Sequence, residues 1–278
     1  MLVNAPSNSL AFSKMHGAGN DFVIIDSQGR PPVVTAELAR AIGDRHRGVG
    51  FDQLAEIRTS DDADIQIDFW NADGSTAGAC GNATRCIVQQ AMAGSGRKRM
   101  LVKTERGLLQ AEMGADGQVS VNMGMPIFDW ADIPLAVETD SDHLPIDGDP
   151  AAVGMGNPHC IFFVPDTDQV DVTGRGGKIE LHALFPKATN VEFIQVLSPT
   201  QLRMRVWERG TGITLACGSG ACAAAVAGHR RGLCERRVHI AVDGGALMVD
   251  WREDGVWLSG PTAHVFSGTF STAFLGNI

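Results

Sequence analysis

Two segments of the sequence place a cysteine directly before a glycine and then continue as a small, apolar run. They are residues 79–86, which contain Cys80, and residues 215–222, which contain Cys217. The residues that follow have helical composition, so each thiol is expected at a helix N-terminus. The free N–H groups and the positive dipole end of a helix favour a thiolate and lower a cysteine pKa from roughly 8.5 toward neutrality. The sequence therefore predicts two activated thiols.

A pair of activated thiols suits one kind of proton chemistry. If Cys80 and Cys217 face one substrate carbon from opposite sides, a thiolate can remove a proton from one face while a thiol delivers a proton to the other. The outcome is inversion of that carbon. A carboxylate beside the carbon would be held by the two helix N-termini, which also stabilise the developing negative charge. This chemistry demands no metal and no organic cofactor.

The composition restricts the class of protein. The 278 residues suffice for two modest domains, and the net charge of -9 argues against a nucleic-acid partner, because phosphate binding needs a basic face. No apolar run approaches the roughly 18 residues of a membrane span, and residues 1–13 lack the basic and apolar regions of a signal peptide. We therefore expect a cytoplasmic protein with no membrane contact, whose six cysteines form no disulfide framework.

The elements that would position Cys80 alternate between short strands and helices. Thr35 is expected to cap an amphipathic helix that continues to about Arg45, and the helix after Cys80 is expected to end near Gly94. Strands are predicted at residues 22–25, 65–69, 101–103, 108–112 and 119–122, the last three as a meander. This half of the chain is thus predicted to form an α/β unit.

The second half repeats this plan around Cys217. The cysteine helix is expected to end near Gly232, and residues 140–150, rich in Asp and Pro, are expected to form a surface loop. Strands are predicted at residues 159–164, 191–196 and 202–207, and a second meander at residues 238–242, 246–251 and 256–258.

An internal repeat should appear as one fixed offset between residues of matching type. Cys80 and Cys217 lie 137 positions apart. The same offset joins Gln53 to Asn190, Asn71 to Glu208, and the turn 17–20 to the turn 154–157. Within the meanders the offset becomes 138 for two further glycine pairs. The sequence thus predicts two copies of one α/β unit related by approximate symmetry, with a ligand in the cleft between them.

The sequence resembles the diaminopimelate epimerases over nearly the whole chain, from about Phe12 to Pro261. Seven ordered motifs carry the resemblance: residues 12–22, 50–53, 71–75, 79–86, 156–159, 190–193 and 208–220. The implied fold is α+β, with two pseudo-symmetric α/β domains, each a curved mixed or antiparallel sheet around a central helix. The implied domains are residues 1–130 and 131–264. Residues 265–278 are implied to return to the first domain and to contain a strand at 265–270.

The resemblance also implies an activity. It is the cofactor-independent interconversion of LL- and meso-2,6-diaminopimelate, a small diamino-dicarboxylate, by a two-base mechanism on the route to lysine and peptidoglycan. Cys80 and Cys217 would be the acid–base pair, and His159 would support the two thiols. The residues implied to bind substrate are Asn20, Gln53, Asn71, Gly81, Asn82, Asn157, Asn190, Glu208, Arg209, Gly218 and Ser219. Among these, Arg209 would hold the distal carboxylate and Glu208 would accept from a substrate ammonium group.

Two positions depart from the family pattern. Ile213 stands where the family usually has Glu, and Ala83 stands where it usually has Gly. Neither position is an expected acid, base or carboxylate contact. The other four cysteines are expected to have packing or incidental roles: Cys86, Cys160, Cys222 and Cys234.

Other functions remain open at this point. The same scaffold could racemise another amino acid, such as histidine or a proline derivative. A thiol redox protein would cycle Cys80 and Cys217 between dithiol and disulfide, which the absence of a C-x-x-C motif disfavours. A binding protein without catalysis would tolerate Cys217→Ser. We also expect that oxidation could join the two cysteines and inactivate the protein, and that reductant would restore it. The sequence leaves open the oligomeric state, including a homodimer, the extent of domain closure, and which cysteine acts on which stereoisomer.

Overall fold

The packing of the chain defines two units in the computed structural model, which describes residues 9–93 and 95–278. The first unit contains the chain up to Gly17, then Asp21–Met113 and Thr262–Ile278. The second unit contains Ala18–Asn20 and Gly114–Pro261. Each unit holds one of the two cysteine motifs.

Short strands dominate the described residues. The first half of the chain contains β1 (Leu10–Gly17), β2 (Asn20–Asp26), α1 (Ala36–Gly43), β3 (Gln53–Arg58), β4 (Ile65–Asn71), β5 (Thr76–Ala77), α2 (Gly81–Met92), β6 (Arg99–Thr104), β7 (Gly107–Met113) and β8 (Val119–Asn122). The second half contains β9 (Ala151–Gly154), β10 (Pro158–Phe163), a 3₁₀ turn (Thr167–Gln169), α3 (Val172–Glu180), β11 (Asn190–Ser198), β12 (Gln201–Glu208), β13 (Gly212–Ile213), α4 (Gly218–Arg230), β14 (Arg237–Val242), β15 (Gly245–Arg252), β16 (Gly255–Ser259), β17 (Ala263–Phe270) and α5 (Thr272–Leu275).

The first unit is built on mixed strand pairing. Strand β3 pairs parallel with β2 and antiparallel with β4. Strand β4 also pairs antiparallel with β5 and parallel with β6, and β6 forms a hairpin with β7. The last strand, β17, pairs antiparallel with β1. Helix α1 begins where the Thr35 hydroxyl accepts a hydrogen bond from Leu38 N at 3.2 Å, and its apolar side packs in the core with Phe51 and Leu54.

The second unit repeats this pairing. Strand β10 pairs antiparallel with β9 and parallel with β11. Strand β12 pairs antiparallel with β11 and β13 and parallel with β14. Strands β14, β15 and β16 then form an antiparallel meander. The register repeats as well. Phe22 lies opposite Gln53 in the first unit, and His159 lies opposite Asn190 in the second, 137 positions further on.

Helix α4 is the buried centre of the second unit. All residues from Gly218 to Gly228 except Ser219 are buried, and most of them are Gly or Ala. Small side chains lose little conformational entropy on burial and let the surrounding strands approach closely. The helix packs against β9, β10 and β11 on the one hand and β14, β15 and β16 on the other. In the first unit, helix α2 buries its residues from Gly81 to Val88.

Most elements lie where the sequence predicts them, with shifts of a few residues at their ends. Helix α2 ends at Met92, whereas its predicted end, Gly94, lies outside the described residues. Residues 1–8, part of the segment predicted to lack signal-peptide character, also lie outside the described residues. The strand predicted at residues 265–270 is part of β17. The sequence does not anticipate α3, α5, β1, β3, β5, β9 or β13.

The limits of the two units differ from the predicted domain limits between residues 114 and 130. The prediction assigns these residues to the first domain and strand 119–122 to the first meander. In the structure they belong to the second unit, because β8 pairs antiparallel with β16 and places Asn122 opposite Trp257.

The chain therefore has a two-domain mixed α/β fold, with parallel and antiparallel strand pairs and few helices. Among the helices of the described residues, none is long and apolar enough to span a bilayer.

Candidate active site

Each cysteine predicted to be catalytic is the N-cap residue of a helix. Cys80 caps α2 and its Sγ accepts a hydrogen bond from Ala83 N at 3.5 Å. Cys217 caps α4 and its Sγ accepts from Gly220 N at 3.4 Å. A thiolate in this position is stabilised by the N–H groups and the dipole of its helix. The N–H groups of Gly81, Asn82, Gly218 and Ser219 belong to the same first turns, as an anion site requires.

The surroundings of Cys80 in the first unit are polar. Thr84 donates to Cys80 O from both its hydroxyl, at 2.8 Å, and its backbone N, at 2.9 Å. Asn82 and Arg85, also in the first two turns of α2, are buried. Cys80 itself is partly exposed.

Two predicted substrate-binding amides of the first unit are paired with each other. Gln53 Nε2 donates to Asn71 Oδ1 at 3.3 Å, since the two residues lie opposite each other on β3 and β4. Asn71 Nδ2 donates to Ser75 Oγ at 3.0 Å. The turn after β4 therefore orients the Asn71 amide, and through it the Gln53 amide.

The surroundings of Cys217 in the second unit are acidic and more deeply buried. Its side chain is nearly inaccessible, with the residue 4% exposed. Ser219 Oγ lies 3.7 Å from Cys217 Sγ. The Glu208 carboxyl group accepts a hydrogen bond from the Thr214 hydroxyl and also contacts the Cys217 thiol. This half of the site thus surrounds a thiol with hydrogen-bonding and acidic groups.

A second layer lies behind Ser219. Asn157 Nδ2 donates to Ser219 Oγ at 3.3 Å, and Asn157 Oδ1 lies 3.1 Å from His159 Nε2. The other ring nitrogen, His159 Nδ1, lies 2.7 Å from Glu192 Oε1. His159 and Glu192 are both fully buried, so this chain of polar groups is closed to solvent at its inner end.

The electrostatics of Cys217 overturn the expectation of a lowered pKa at this helix start. Burial raises the pKa of the Cys217 thiol well above its usual value, and the nearby Glu208 and Glu192 carboxylates raise it further. The hydrogen bonds from Gly220 N and Ser219 lower the pKa but do not outweigh the loss of solvation. Cys217 is therefore held as a thiol. Burial also raises the pKa of Glu208, against hydrogen bonds from Thr214 and Cys217.

The Asn190 side chain contacts the backbone N–H of Arg209 and not its guanidinium group. Asn190 Oδ1 accepts from Arg209 N at 3.0 Å, and Asn190 Nδ2 donates to Pro158 O at 2.9 Å. The Arg209 guanidinium is exposed and donates to Lys187 O at 3.2 Å. Asn190 thus fixes the loop that carries Arg209, while the guanidinium stays at the surface of its unit.

The structure also shows where the remaining predicted residues lie. Asn20 is buried and opens β2. Of the two departures from the family pattern, Ile213 is exposed on β13 and Ala83 is buried in the first turn of α2. The other four cysteines are free and buried, and burial raises the pKa of Cys86 to about 12 and of Cys234 to about 11, as inert packing thiols require.

The sequence prediction assigns no role to Glu192, which contacts His159 and influences Cys217. A signal for it is present in the sequence. Glu192 interrupts the apolar stretch of β11, in which all residues from Asn190 to Ile194 are buried. A charged residue at such a position is rarely buried without a partner.

The fold has counterparts among solved structures of low sequence identity. A phenazine biosynthesis protein of the PhzF family from Bacillus anthracis aligns with a TM-score of 0.69 and 14% identity over 95% of this chain and 99% of that one. A hydroxyproline epimerase from Agrobacterium vitis aligns with a TM-score of 0.65 and 11% identity over 96% of this chain and 93% of that one. At these identities the likeness shows the fold.

Fold and relatives together place the protein among the amino-acid epimerases. The model of the diaminopimelate epimerase family matches residues 12–128 and 151–265. A diaminopimelate epimerase from Rhodospirillum centenum is 49% identical over 271 residues, which cover 95% of this chain and 93% of that protein. One from Acidiphilium cryptum is 48% identical over 270 residues, 95% of this chain and 97% of that protein. The chain belongs to the diaminopimelate epimerase family, and the resemblance predicted from its motifs is confirmed.

Proposed function

We propose that this protein interconverts LL- and meso-2,6-diaminopimelate, with Cys80 and Cys217 as the two acid–base groups and without a cofactor. The observation that carries the proposal is the pair of cysteine N-caps on two equivalent helices, each with a backbone N–H directed at its sulfur. The names of the relatives, at 41–49% identity over most of the chain, supply the substrate.

The reaction is a proton exchange at one carbon. One cysteine, as thiolate, removes the α-proton of the substrate and becomes a thiol, and the electron pair of the broken C–H bond passes into the adjacent carboxylate. The other cysteine, as thiol, then delivers its proton to the opposite face of the carbon and becomes a thiolate. The carbon is inverted, no atom is gained or lost, and the two cysteines have exchanged protonation states. The raised pKa of Cys217 makes it the thiol in the resting enzyme.

The helix starts supply the electrostatic part of the mechanism. The backbone N–H groups of Gly81, Asn82, Gly218 and Ser219 belong to the first turns of their helices, where N–H groups are available to bind the reacting carboxylate as negative charge develops on it. Preorganised donors of this kind are worth about 3 to 4 kcal/mol each in other enzymes. The amides of Asn20, Gln53, Asn71, Asn157 and Asn190, with Glu208 and Arg209, would bind the distal amino-acid group.

Proton NMR in D2O tests the proposal. LL-diaminopimelate is incubated with the reduced protein, and the α-proton signal and the meso isomer are followed. We expect the α-proton signal to disappear while the meso isomer accumulates, and we expect Cys80→Ala and Cys217→Ala to abolish both changes. Cys86→Ala and Cys222→Ala are matched controls, because these cysteines lie further along the same two helices and serve as packing.

The outcomes separate substrate from mechanism. Exchange of another amino acid but not of diaminopimelate would keep the two-thiol chemistry and remove the substrate. No exchange of any amino acid would remove the enzymatic function. Retention of exchange in Cys217→Ala would contradict the role of that thiol.

The proposed location of the enzyme is the cytoplasm. The mechanism needs free thiols, and all six cysteines of the chain are free. A reducing compartment keeps thiols in that state. Fractionation of cells that express the protein, followed by activity measurement in each fraction, tests this location.

A further inference from the structure

A buried hydrogen-bonded pair, His159 and Glu192, lies behind the first turn of α4. An oxygen atom faces each nitrogen of the His159 ring: Glu192 Oε1 lies 2.7 Å from Nδ1, and Asn157 Oδ1 lies 3.1 Å from Nε2. Contacts at both ring nitrogens fix the orientation of the imidazole. Neither side chain of the pair is exposed.

The pair is connected to the Cys217 thiol by two further side chains. With Oδ1 directed at His159, the Asn157 amide presents its Nδ2 to Ser219 Oγ at 3.3 Å. Ser219 Oγ in turn lies 3.7 Å from Cys217 Sγ. The direction of each hydrogen bond is thus set by the one before it, starting at Glu192.

Gly220 brings Glu192 directly against the helix that carries the thiol. A Cβ atom on Gly220 would lie 2.5 Å from Glu192 Oε1, a distance that non-bonded atoms do not adopt. The N–H of the same glycine donates to Cys217 Sγ at 3.4 Å. The glycine therefore leaves space for the carboxylate on one side while its backbone holds the sulfur on the other.

A purely structural role explains these features poorly. A buried ionisable side chain contributes little net stability, because its desolvation offsets what its contacts gain. Glu192 Oε2 is buried without a hydrogen-bond partner among the described residues, which adds a further cost. The equivalent positions of the first unit, 137 residues earlier, hold Phe22, Ala55 and Ala83, so none of these three positions carries an ionisable side chain there.

We propose that Glu192 is a positioning residue for Cys217, which fixes the His159 ring and, through Asn157, the Ser219 hydroxyl against the thiol. This inference rests on the proposed function, since it assigns a role in the same proton transfer. Glu192 does not touch the substrate in this proposal. It sets the geometry and the charge around the group that does.

The groups that act on Cys217 come from two strands and its own helix. They are the Glu208 carboxyl on β12 and the Glu192 carboxyl on β11, with the Ser219 hydroxyl and the Gly220 N–H on α4. His159 on β10 lies behind them, against Glu192 and Asn157. The Glu192 charge is one of the causes that raise the pKa of Cys217. Its removal should ease deprotonation of this thiol, so charge and position predict separate effects.

Three variants separate the two effects. In Glu192→Gln the shape is kept and the charge is lost; we expect kcat to fall by about 10- to 100-fold with KM nearly unchanged, because a misplaced reacting group costs this much. In Glu192→Asp the charge is kept but the side chain no longer reaches His159. In Gly220→Ala the new methyl displaces the carboxylate. Both should lower kcat in the same way.

The titration of Cys217 is the second readout, and it needs no substrate. The protein is labelled with ¹³C at the cysteine Cβ atoms, and the Cys217 resonance is assigned as the one absent from Cys217→Ala. In Glu192→Gln we expect its titration midpoint, and the alkaline limb of the kcat profile, to move to lower pH by about one unit. In Glu192→Asp both should stay close to the wild-type values.

Glu56→Gln is the matched control. Glu56 is a buried glutamate on β3 of the first unit, where it accepts from Ser27 Oγ at 2.6 Å and Val33 N at 2.7 Å. Its substitution should destabilise the fold without changing kcat or the Cys217 titration. If Glu192→Gln behaves like Glu56→Gln in both readouts, the proposal is wrong. It is also wrong if Gly220→Ala and Glu192→Asp keep wild-type kcat.

The two readouts distinguish failure of this inference from failure of the proposed function. If the wild-type protein exchanges no α-proton while the Cys217 midpoint still moves in Glu192→Gln, the enzymatic function fails and the influence of Glu192 on the thiol stands. If exchange occurs and neither kcat nor the midpoint responds to the three variants, the function stands and Glu192 has no positioning role.

Discussion

Helices α2 and α4 begin alike and differ in the residues that support their first turns. Both have a cysteine N-cap whose sulfur accepts a backbone N–H, at 3.5 Å for Cys80 and 3.4 Å for Cys217. Behind α4 lies the buried hydrogen-bonded pair of His159 and Glu192, whereas the equivalent positions in the first unit are the apolar Phe22 and Ala55. The backbone geometry of a thiol site has been kept in both units while the charge around it has diverged.

This difference would suit the proposed reaction, which needs one thiolate and one thiol. Two thiols in identical surroundings would have equal affinity for a proton. Burial raises the pKa of Cys217, and the Glu208 and Glu192 carboxylates raise it further because they disfavour another negative charge. In the proposed mechanism this asymmetry would define the resting state, and the similar helix starts would allow the two roles to exchange during turnover.

The largest expected effect concerns what the two helices share. Cys80→Ser and Cys217→Ser should each lower kcat by about 10²- to 10⁴-fold, because a hydroxyl is a far weaker acid than a thiol and is hardly ionised at neutral pH, and general acid–base catalysis contributes this much. Steady-state kinetics with LL-diaminopimelate measures the loss. A variant of Cys217 that retains wild-type kcat would break the equivalence of the two cysteines.

The next prediction tests whether the first unit tolerates a buried carboxylate at the position equivalent to Glu192. Ala55 is fully buried and equivalent to Glu192, with neither a histidine nor a glycine at the matching positions. Ala55→Glu should lower the free energy of unfolding by about 3 kcal/mol or more, because the carboxylate would be buried without a partner. Urea denaturation measures the change. Ala11→Glu, at an exposed position on β1, should change it by less than about 0.5 kcal/mol.

A smaller effect concerns the reactivity of the two thiols. Cys80 is partly exposed, whereas Cys217 is buried and has a raised pKa. Iodoacetamide should therefore alkylate Cys80 at least about tenfold faster than Cys217, since the thiolate is the nucleophile. Peptide mass spectrometry of timed samples gives both rates. In urea the two rates should become similar, and faster labelling of Cys217 in the folded protein would reverse the assigned difference.

The smallest effect concerns the opposite ends of the two helices. Helix α4 ends with Arg230, which pairs with Asp142 and stacks on Phe128 at 4.0 Å, whereas α2 has no basic residue in its last turn. Asp142→Asn should lower the free energy of unfolding at neutral pH by about 0.5 to 1 kcal/mol, as partly exposed pairs do.

The pH dependence of this pair has a defined sign. Arg230 lowers the pKa of Asp142 below its ordinary value of 3.8, so the pair contributes stability above that value and loses it as the pH falls through the lowered pKa. The difference between wild-type protein and Asp142→Asn, measured by urea denaturation, should shrink in strong acid. A difference that does not depend on pH would show that charge is not its cause.

The parts of the fold that follow local rules could be predicted from the sequence. The two N-caps, the strand segments and the offset of 137 residues all depend on residue type and spacing, and the strand register repeats at that offset. The predicted site residues lie on or next to β2, β3, β4 and α2 in the first half of the chain and β10, β11, β12 and α4 in the second.

Other parts depend on packing that a sequence does not display. Helix α3 contains three glycines, which are poor helix formers, so its sequence gives no helical signal. The structure shows why Gly176 is needed: a Cβ there would lie 2.5 Å from Cβ of Trp207. The partner of β8 is likewise a distant strand, and the raised pKa of Cys217 results from burial and from acids on neighbouring strands.

The pairing of β1 with β17 has a consequence for biosynthesis. The two strands are paired from Leu10 with Phe270 to His16 with Ala263, so paired residues lie 247 to 260 positions apart in the sequence. A ribosome releases the N-terminal strand long before its partner is made, while the second unit is almost one continuous segment. Until β17 has been translated, one edge of β1 in the nascent first unit is uncovered, so chaperones or other chains can bind to it. Folding of this enzyme can therefore finish only after translation of β17.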